Sequence, residues 1–360
     1  KPSPWENFFV HNVDYHQSHG LTGKLKAGID FIYNAEACNK LNTLLLEQRP
    51  DIVHFHNIYH QLTPALIGVA KRFGCKTVLT AHDYKIVCPS YTMLRDGHVC
   101  DDCLTGSVSN AFRHRCQQGD TFKSLLLSLE AYWQKFAQNY AMLDCIIAPS
   151  EFMRQTLLRK LPRSRIDVIV NGIDASTTVQ GDTAGDYFLY IGRLSREKGV
   201  ATLALAQQKM QQSMPLKIVG DGPLGSDLRA RFSGPEFLGY MRHGEALNAL
   251  IRGARAVIVP SEYYENCSMS VLEAMAFGRP VVGGNIGGIP EQIRDGIDGY
   301  LVEPGDADAL ARIMDSLAAN PQQAREMGIN ARQRLEDKYD LARHMQVLQE
   351  LYQQLVGEAK

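Results

Sequence analysis

Two carboxylates, Glu265 and Glu273, bracket the stretch Asn266-Cys267-Ser268-Met269-Ser270-Val271-Leu272. An apolar run, Ala256-Val257-Ile258-Val259-Pro260, precedes them, and a helix-like segment ending at Gly278 follows. Strand, polar loop and helix start, in that order, put both acids at one strand end. Open parallel α/β sheets bind ligands there, and a helix N-terminus offers unpaired N–H groups to an anion. The amide and hydroxyls of the loop suit a hydroxyl-rich ligand. A capping box explains part of the pattern: Ser270 would cap the helix and Glu273 would reach back to it. Capping leaves Glu265 unexplained.

A second constellation supplies cations. Tyr187-Phe188-Leu189-Tyr190-Ile191 reads as a buried strand and Val200 to Ala206 as a helix, with Gly192-Arg193-Leu194-Ser195-Arg196-Glu197-Lys198-Gly199 between them. Arg193 can fork across two phosphate oxygens and Lys198 can add a point charge, enough to neutralise a diphosphate without a metal. A solvated basic loop is the plainer reading of the same residues. Gly220-Asp221-Gly222-Pro223-Leu224-Gly225 follows the apolar run 216–219 and is formally a G-x-G-x-x-G. A dinucleotide site needs an acid at the end of the next strand, and Glu236 instead precedes Phe237-Leu238-Gly239. An oxidoreductase is therefore disfavoured, and Pro223 reads as a first helical residue.

In the N-terminal half, Pro50 to Asn57 and Thr77 to Asp83 each look like a strand delivering polar residues at its carboxyl end. His54 and His56 alternate along the first and share a sheet face, either as strand-end residues or as substrate contacts. His82 ends the second and could stabilise a transition state by hydrogen bonding. Cys88, Cys100, Cys103 and Cys116 fall within one loop-like stretch, with Cys100-Asp101-Asp102-Cys103 as a knuckle. Four such thiolates could close a tetrahedral structural zinc site. Unbridged thiols and disulfides are the other readings, the last disfavoured because no secretory segment is seen. Cys38, Cys75, Cys145 and Cys267 are scattered.

These motifs need two scaffolds to hold them. A chain of 360 residues exceeds one ordinary core. Strands near 51–55, 76–80, 144–148 and 166–170 predict one parallel sheet, and strands near 187–191, 215–219, 236–239, 256–260, 280–283 and 299–302 a second. Asn171 to Gly185 reads as the linker, and helices are predicted near 306–319, 321–338 and 341–356. The net charge of −1 argues against nucleic acid. No apolar run reaches the length that spans a bilayer. The mixed basic and apolar segment Leu21 to Tyr33 fits either peripheral membrane contact or a half-buried helix.

Gly192-Arg193 with Lys198-Gly199, Val219-Gly220-Asp221-Gly222-Pro223, Phe237-Leu238-Gly239, the E-x7-E pair and Gly287-Gly288-Ile289-Pro290-Glu291 occur in the order seen in retaining glycosyltransferases of family GT4. The resemblance spans most of residues 186–305, is weaker before them, and suggests a chain incomplete at its start. It implies a GT-B fold: two Rossmann-like, doubly wound parallel-sheet α/β domains facing a cleft. Residues 1–172 would be the acceptor-side domain, 173–340 the donor-binding domain, and 341–360 a helix returning to the first. The implied donor is a UDP-, GDP- or ADP-sugar, and the acceptor a saccharide or lipid-linked saccharide, with no catalytic cofactor. Carried over, Arg193 and Lys198 would hold the diphosphate, with Gly192 beside them in the donor site, Glu273 the ribose, Glu265 the transferred sugar, and the backbone amides of Ser268 and Met269 the phosphate end. Gly222 and Leu238 would complete the donor pocket, and His82 would lie over the sugar. The catalytic set is then His82, Glu265, Arg193 and Lys198, in a cytoplasmic enzyme, peripheral at the plasma membrane, of bacterial surface-glycan assembly. A GT-B nucleotide-sugar epimerase and a non-catalytic nucleotide-sugar-binding subunit are the alternatives.

Overall fold

The computed structural model describes residues 3–11, 20–181 and 185–358, without the side chains of 20–25. The side chains of part of the basic and apolar segment 21–33, and residues 182–184 of the linker ending at 185, therefore lie outside the described residues.

The first lobe opens with helices α1 (Gly20–Ile32) and α2 (Ala35–Gln48), followed by β1 (Ile52–His56), α3 (Ala65–Arg72) and β2 (Lys76–Thr80). A short antiparallel hairpin, β3 (Leu94–Arg95) and β4 (His98–Val99), then precedes α4 (Asp102–Thr105), α5 (Asn110–Arg113) and α6 (Thr121–Phe136). Strand β5 (Cys145–Ala148), α7 (Glu151–Leu158) and β6 (Ile166–Val168) complete it. The sheet is parallel, in the order β1-β2-β5-β6. Its central strands, β2 and β5, are buried along nearly their whole length because both faces are covered, as parallel sheets require. Side-chain caps start the helices: Asn34 accepts from the Ala37 N–H, Asp120 from that of Lys123, and Ser150 from that of Met153.

In the second lobe, β7 (Phe188–Ile191), β8 (Leu216–Val219), β9 (Glu236–Gly239), β10 (Ala256–Val259), β11 (Val281–Gly284) and β12 (Gly299–Val302) alternate with helices. These are α8 (Val200–Lys209), α9 (Gly225–Arg231), α10 (Glu245–Gly253), α11 (Met269–Ala276), α12 (Ile289–Gln292), α13 (Ala307–Ala319) and α14 (Pro321–Lys338). All strands are parallel, in the order β12-β11-β10-β7-β8-β9. The winding direction therefore reverses between β7 and β10. Such a switch point opens a crevice at the strand carboxyl ends.

The chain crosses between lobes twice, and the crossings are bonded side by side: the Ile173 N–H donates to the Tyr339 carbonyl at 2.9 Å, and the Leu341 N–H to that of Ile173 at 3.1 Å. Helix α15 (Leu341–Gly357) then leaves the second lobe and buries Leu351 and Leu355 against Val78, Cys145 and Ile147 of the first sheet. No helix among the described residues is long and apolar enough to cross a membrane.

Two helix starts differ from expectation. Helix α9 begins at Gly225, so Pro223 stands in the turn ahead of it, where the Leu224 N–H is drawn to the Leu194 carbonyl. Helix α11 begins at Met269, and the Ser270 hydroxyl donates to the Ile191 carbonyl at 3.2 Å. The Ser270 capping box is therefore not formed.

Candidate functional site

The crevice at the β7/β10 switch point is where Lys198 and Glu265 meet. Lys198 stands in the loop after β7 and Glu265 in the loop after β10, and their Nζ and Oε1 are 2.7 Å apart. Two close approaches allow this. Gly199 turns with φ 67° and a Cβ there would strike the Pro260 carbonyl oxygen; Gly288 runs against the Asn266 carbonyl, leaving no room for a side chain. Glu265 is buried, and its carboxylate also accepts from the Ser261 hydroxyl at 2.8 Å and the Tyr263 hydroxyl at 3.0 Å. Lys198 donates to the Tyr263 oxygen as well, at 3.0 Å. Burial pulls the Lys198 ammonium down, but Glu265 and Tyr263 overcome it and hold the group above its usual range. Burial beside Glu265 pushes the Tyr263 phenol up to about 12. A fixed cation and a fixed anion therefore share one water-poor corner.

The other residues expected to meet a donor stand on neighbouring elements of the same lobe. The Gly192 N–H is bonded to the Val219 carbonyl at 3.0 Å, joining the ends of β7 and β8, and the next side chain, Arg193, is exposed. The Gly222 N–H donates to Asp221 Oδ1 at 2.8 Å. Leu238, on edge strand β9, packs partly buried against the core. Glu273, in the second turn of α11, is largely buried, and desolvation raises its carboxyl although exposed His243 lies 3.7 Å away.

One of the two expected amides already has a partner. The Ser268 N–H donates to Gln292 Oε1 at 2.9 Å, and Gln292 Nε2 donates to the Ser268 carbonyl at 3.0 Å. That amide is spent inside the loop. The N–H groups of Met269, Ser270 and Val271 open the helix, in the turn where it supplies no partner of its own, and the Leu272 N–H is the first to bond back, to the Ser268 carbonyl.

Across the cleft, His82 follows β2, and its Nε2 lies 2.8 Å from Nδ1 of His56 at the end of β1. His54, one pleat back, has Nδ1 at 2.6 Å from the Tyr352 hydroxyl of α15 and Nε2 at 2.8 Å from the Thr80 hydroxyl. Desolvation and the neighbouring imidazoles bring His54 down to about 4; burial lowers His56, and burial with His56 lowers His82. The cleft face of this lobe is thus lined by neutral imidazoles at neutral pH.

Contacts between the lobes escaped the sequence reading. Asn266 Nδ2 donates to the carbonyl of Ala81, next to His82, at 2.9 Å, and Ser150 Oγ donates to Asn266 Oδ1 at 3.1 Å. Glu291 of the Gly287–Glu291 motif accepts the N–H groups of Glu151 and Phe152, at 2.8 and 2.7 Å, at the N-terminus of α7. Tyr264 lies against Phe152, ring centroids 4.9 Å apart. Tyr263, Ser261 and Gln292 carried no signal beyond adjacency to a motif.

The zinc expectation finds no support among the described residues. Cys88, Cys100, Cys103 and Cys116 come near enough to feel one another's charge, but no group of three or more His, Cys, Asp or Glu among the described residues could hold a metal ion. Their sulfurs have other partners: Cys88 Sγ lies 3.2 Å from Ser90 Oγ, and backbone N–H groups of Ala111 and Asp102 point to Cys103 and Cys100. Burial first, then neighbouring thiols, pushes Cys103 up to about 12 and Cys116 up to about 11.

Comparison with known proteins agrees with this layout. Residues 11–177 match the model described as Glycosyltransferase Family 4, and residues 179–334 the model described as Glycosyl transferases group 1. The chain is 28% identical over 246 residues to alpha-maltose-1-phosphate synthase of Mycolicibacterium smegmatis, covering 59% of this chain and 63% of that protein. It is 30% identical over 223 residues to O-antigen chain mannosyltransferase C of Escherichia coli, covering 57% and 59% respectively. The chain thus spans less than two thirds of these relatives' lengths. The structure of HepE from Anabaena in complex with UDP superposes with a TM-score of 0.66 at 18% identity, over 88% of this chain and 82% of that one, a likeness of fold.

Proposed function

Because this chain belongs to glycosyltransferase family 4 and has the GT-B fold, we propose that it transfers a sugar from a nucleoside-diphosphate sugar to a hydroxyl acceptor, with retention at the anomeric carbon. The observation that carries the reading is the Lys198–Glu265 pair at the switch point, 2.7 Å apart and opposite a histidine-lined lobe. The diphosphate binds at the start of α11 and beside Arg193 and Lys198, which meet the charge that builds on the leaving group. Glu273 accepts from the ribose hydroxyls and Glu265 from the sugar. Gly222 and Leu238 border the nucleotide, and Met269 supplies an N–H at the phosphate end. The bond from anomeric carbon to phosphate oxygen breaks as the acceptor oxygen bonds to that carbon. The leaving diphosphate takes both the electron pair and the acceptor's proton, so no protein base is needed. His82 hydrogen-bonds the sugar during this step.

In this reading residues 1–172 carry the acceptor, 173–340 the donor, and 341–360 return to the first lobe. The acceptor is a saccharide or lipid-linked saccharide of a bacterial surface glycan, a reading supported by the name of the Escherichia coli relative. A lipid-linked acceptor makes the enzyme a peripheral protein at the inner face of the plasma membrane.

The test is incubation with UDP-, GDP- and ADP-sugars and candidate acceptors, read by NMR of the anomeric proton and by nucleotide release. A product with the donor's anomeric configuration is expected, together with a fall in turnover of about 10² or more in Lys198→Ala. Inverted product, an epimerised donor formed without acceptor, or unchanged turnover in that variant contradicts it.

A further inference from the structure

The sequence motifs single out His82, yet the nitrogen of His82 nearest the first sheet is not free. Its Nε2 lies 2.8 Å from Nδ1 of His56, with the two rings 30° from coplanar. A bond between two imidazole nitrogens holds one hydrogen: one ring donates and the other must be bare. We infer that His56 is a positioning residue for His82, sharing that single hydrogen so that His82 stays neutral, in one tautomer, with its other ring edge turned to the cleft. The inference rests on the reading that His82 faces the donor sugar.

Independent features support it. The His56 ring lies 4.2 Å from that of His54, which is itself held at both nitrogens by Tyr352 and Thr80, so His56 is backed by a fixed ring. The Ala81 N–H is tied to the Ile147 carbonyl and the Ala81 carbonyl to Asn266, which fixes the backbone beside His82. Among the described residues, the titratable groups found to act on His54, His56 and His82 are these imidazoles themselves and Tyr352 and His344 from α15, and none of them is a carboxylate that would favour imidazolium. Adding a second proton to the pair would set two cations against each other in a partly buried site. Burial and His56 both depress His82, in the direction this requires.

The experiment is histidine imidazole NMR of the whole chain from about pH 4 to about pH 9, on wild type, His56→Ala and His56→Asn. It needs no substrate, so its outcome is separate from whether the chain transfers sugar. In wild type the His82 resonances should report one tautomer and a midpoint below about 6.5, the ordinary value for histidine. In His56→Ala the midpoint should rise toward that value and the tautomers should mix. His56→Asn, whose amide can still donate or accept, should hold a single tautomer. With a working donor and acceptor, kcat of His56→Ala should fall about tenfold with the donor KM unchanged, and His56→Asn should recover part of it. A His82 that titrates at the same midpoint with the same tautomer in wild type and His56→Ala overturns the inference, since a merely structural His56 would leave both untouched.

Discussion

Burial pushes the Glu273 carboxyl above its usual range, and a group whose folded pKa is raised favours the protonated folded state. Stability therefore falls as pH rises through that raised value, and at neutral pH the ionised side chain is a cost carried by the unliganded protein. Ribose hydroxyls would repay it by donating to the carboxylate. Glu273→Gln should then raise Tm by roughly 1–2 °C at pH 7 while weakening nucleotide binding about tenfold. A thermal melt and a binding titration of the same sample check both signs; loss of stability together with retained affinity would make Glu273 a structural residue. Its counterpart Glu265 was legible in sequence as an acid before a helix. Its bonds to Ser261, Tyr263 and Lys198 were not, because periodicity records which face is buried and not which polar groups meet there.

At the level of elements, strand positions were readable because parallel strands covered on both faces leave short apolar runs ended by glycine and polar residues. The expected runs near 256–260 and 280–283 stand as β10 and β11 with shifts of one residue. Helix starts were less readable. Pro223 and Ser270 each fit a local rule that a nearby tertiary hydrogen bond overrode. The short helix α12 was legible only as a motif, yet it couples the lobes: Gln292 grips Ser268 in the loop after β10 while Glu291 caps α7 of the opposite lobe, 140 residues away in sequence. A carboxylate on the first N–H groups of a helix gains from both hydrogen bonding and the helix dipole. Glu291→Ala should cost about 1–3 kcal/mol in urea unfolding and enlarge the radius of gyration in small-angle scattering as the lobes separate. An unchanged scattering profile would mean that the contact does not hold the cleft.

For the whole molecule, two sheets share one chain through paired crossings at Ile173 and Tyr339, and α15 ties the last residues to the first lobe. Leu351 and Leu355 supply much of the cover on that face of the first sheet, so Leu351→Ala or Leu355→Ala should each destabilise by about 2–5 kcal/mol. Far-UV circular dichroism during urea unfolding measures this, and a loss below about 0.5 kcal/mol would show the helix to be loosely docked. The same helix carries Tyr352 to His54, which joins the docking of α15 to the histidine face of the cleft.

A nucleoside diphosphate should bind beside the Lys198–Glu265 pair. Isothermal titration of the wild-type chain and of Lys198→Ala with UDP, GDP and ADP tests this without any acceptor. The prediction is saturable binding of at least one nucleotide to the wild type, weakened about tenfold or more in Lys198→Ala, with both proteins melting as folded species. Equal affinity in the two proteins, or no binding of any of the three nucleotides, would contradict it.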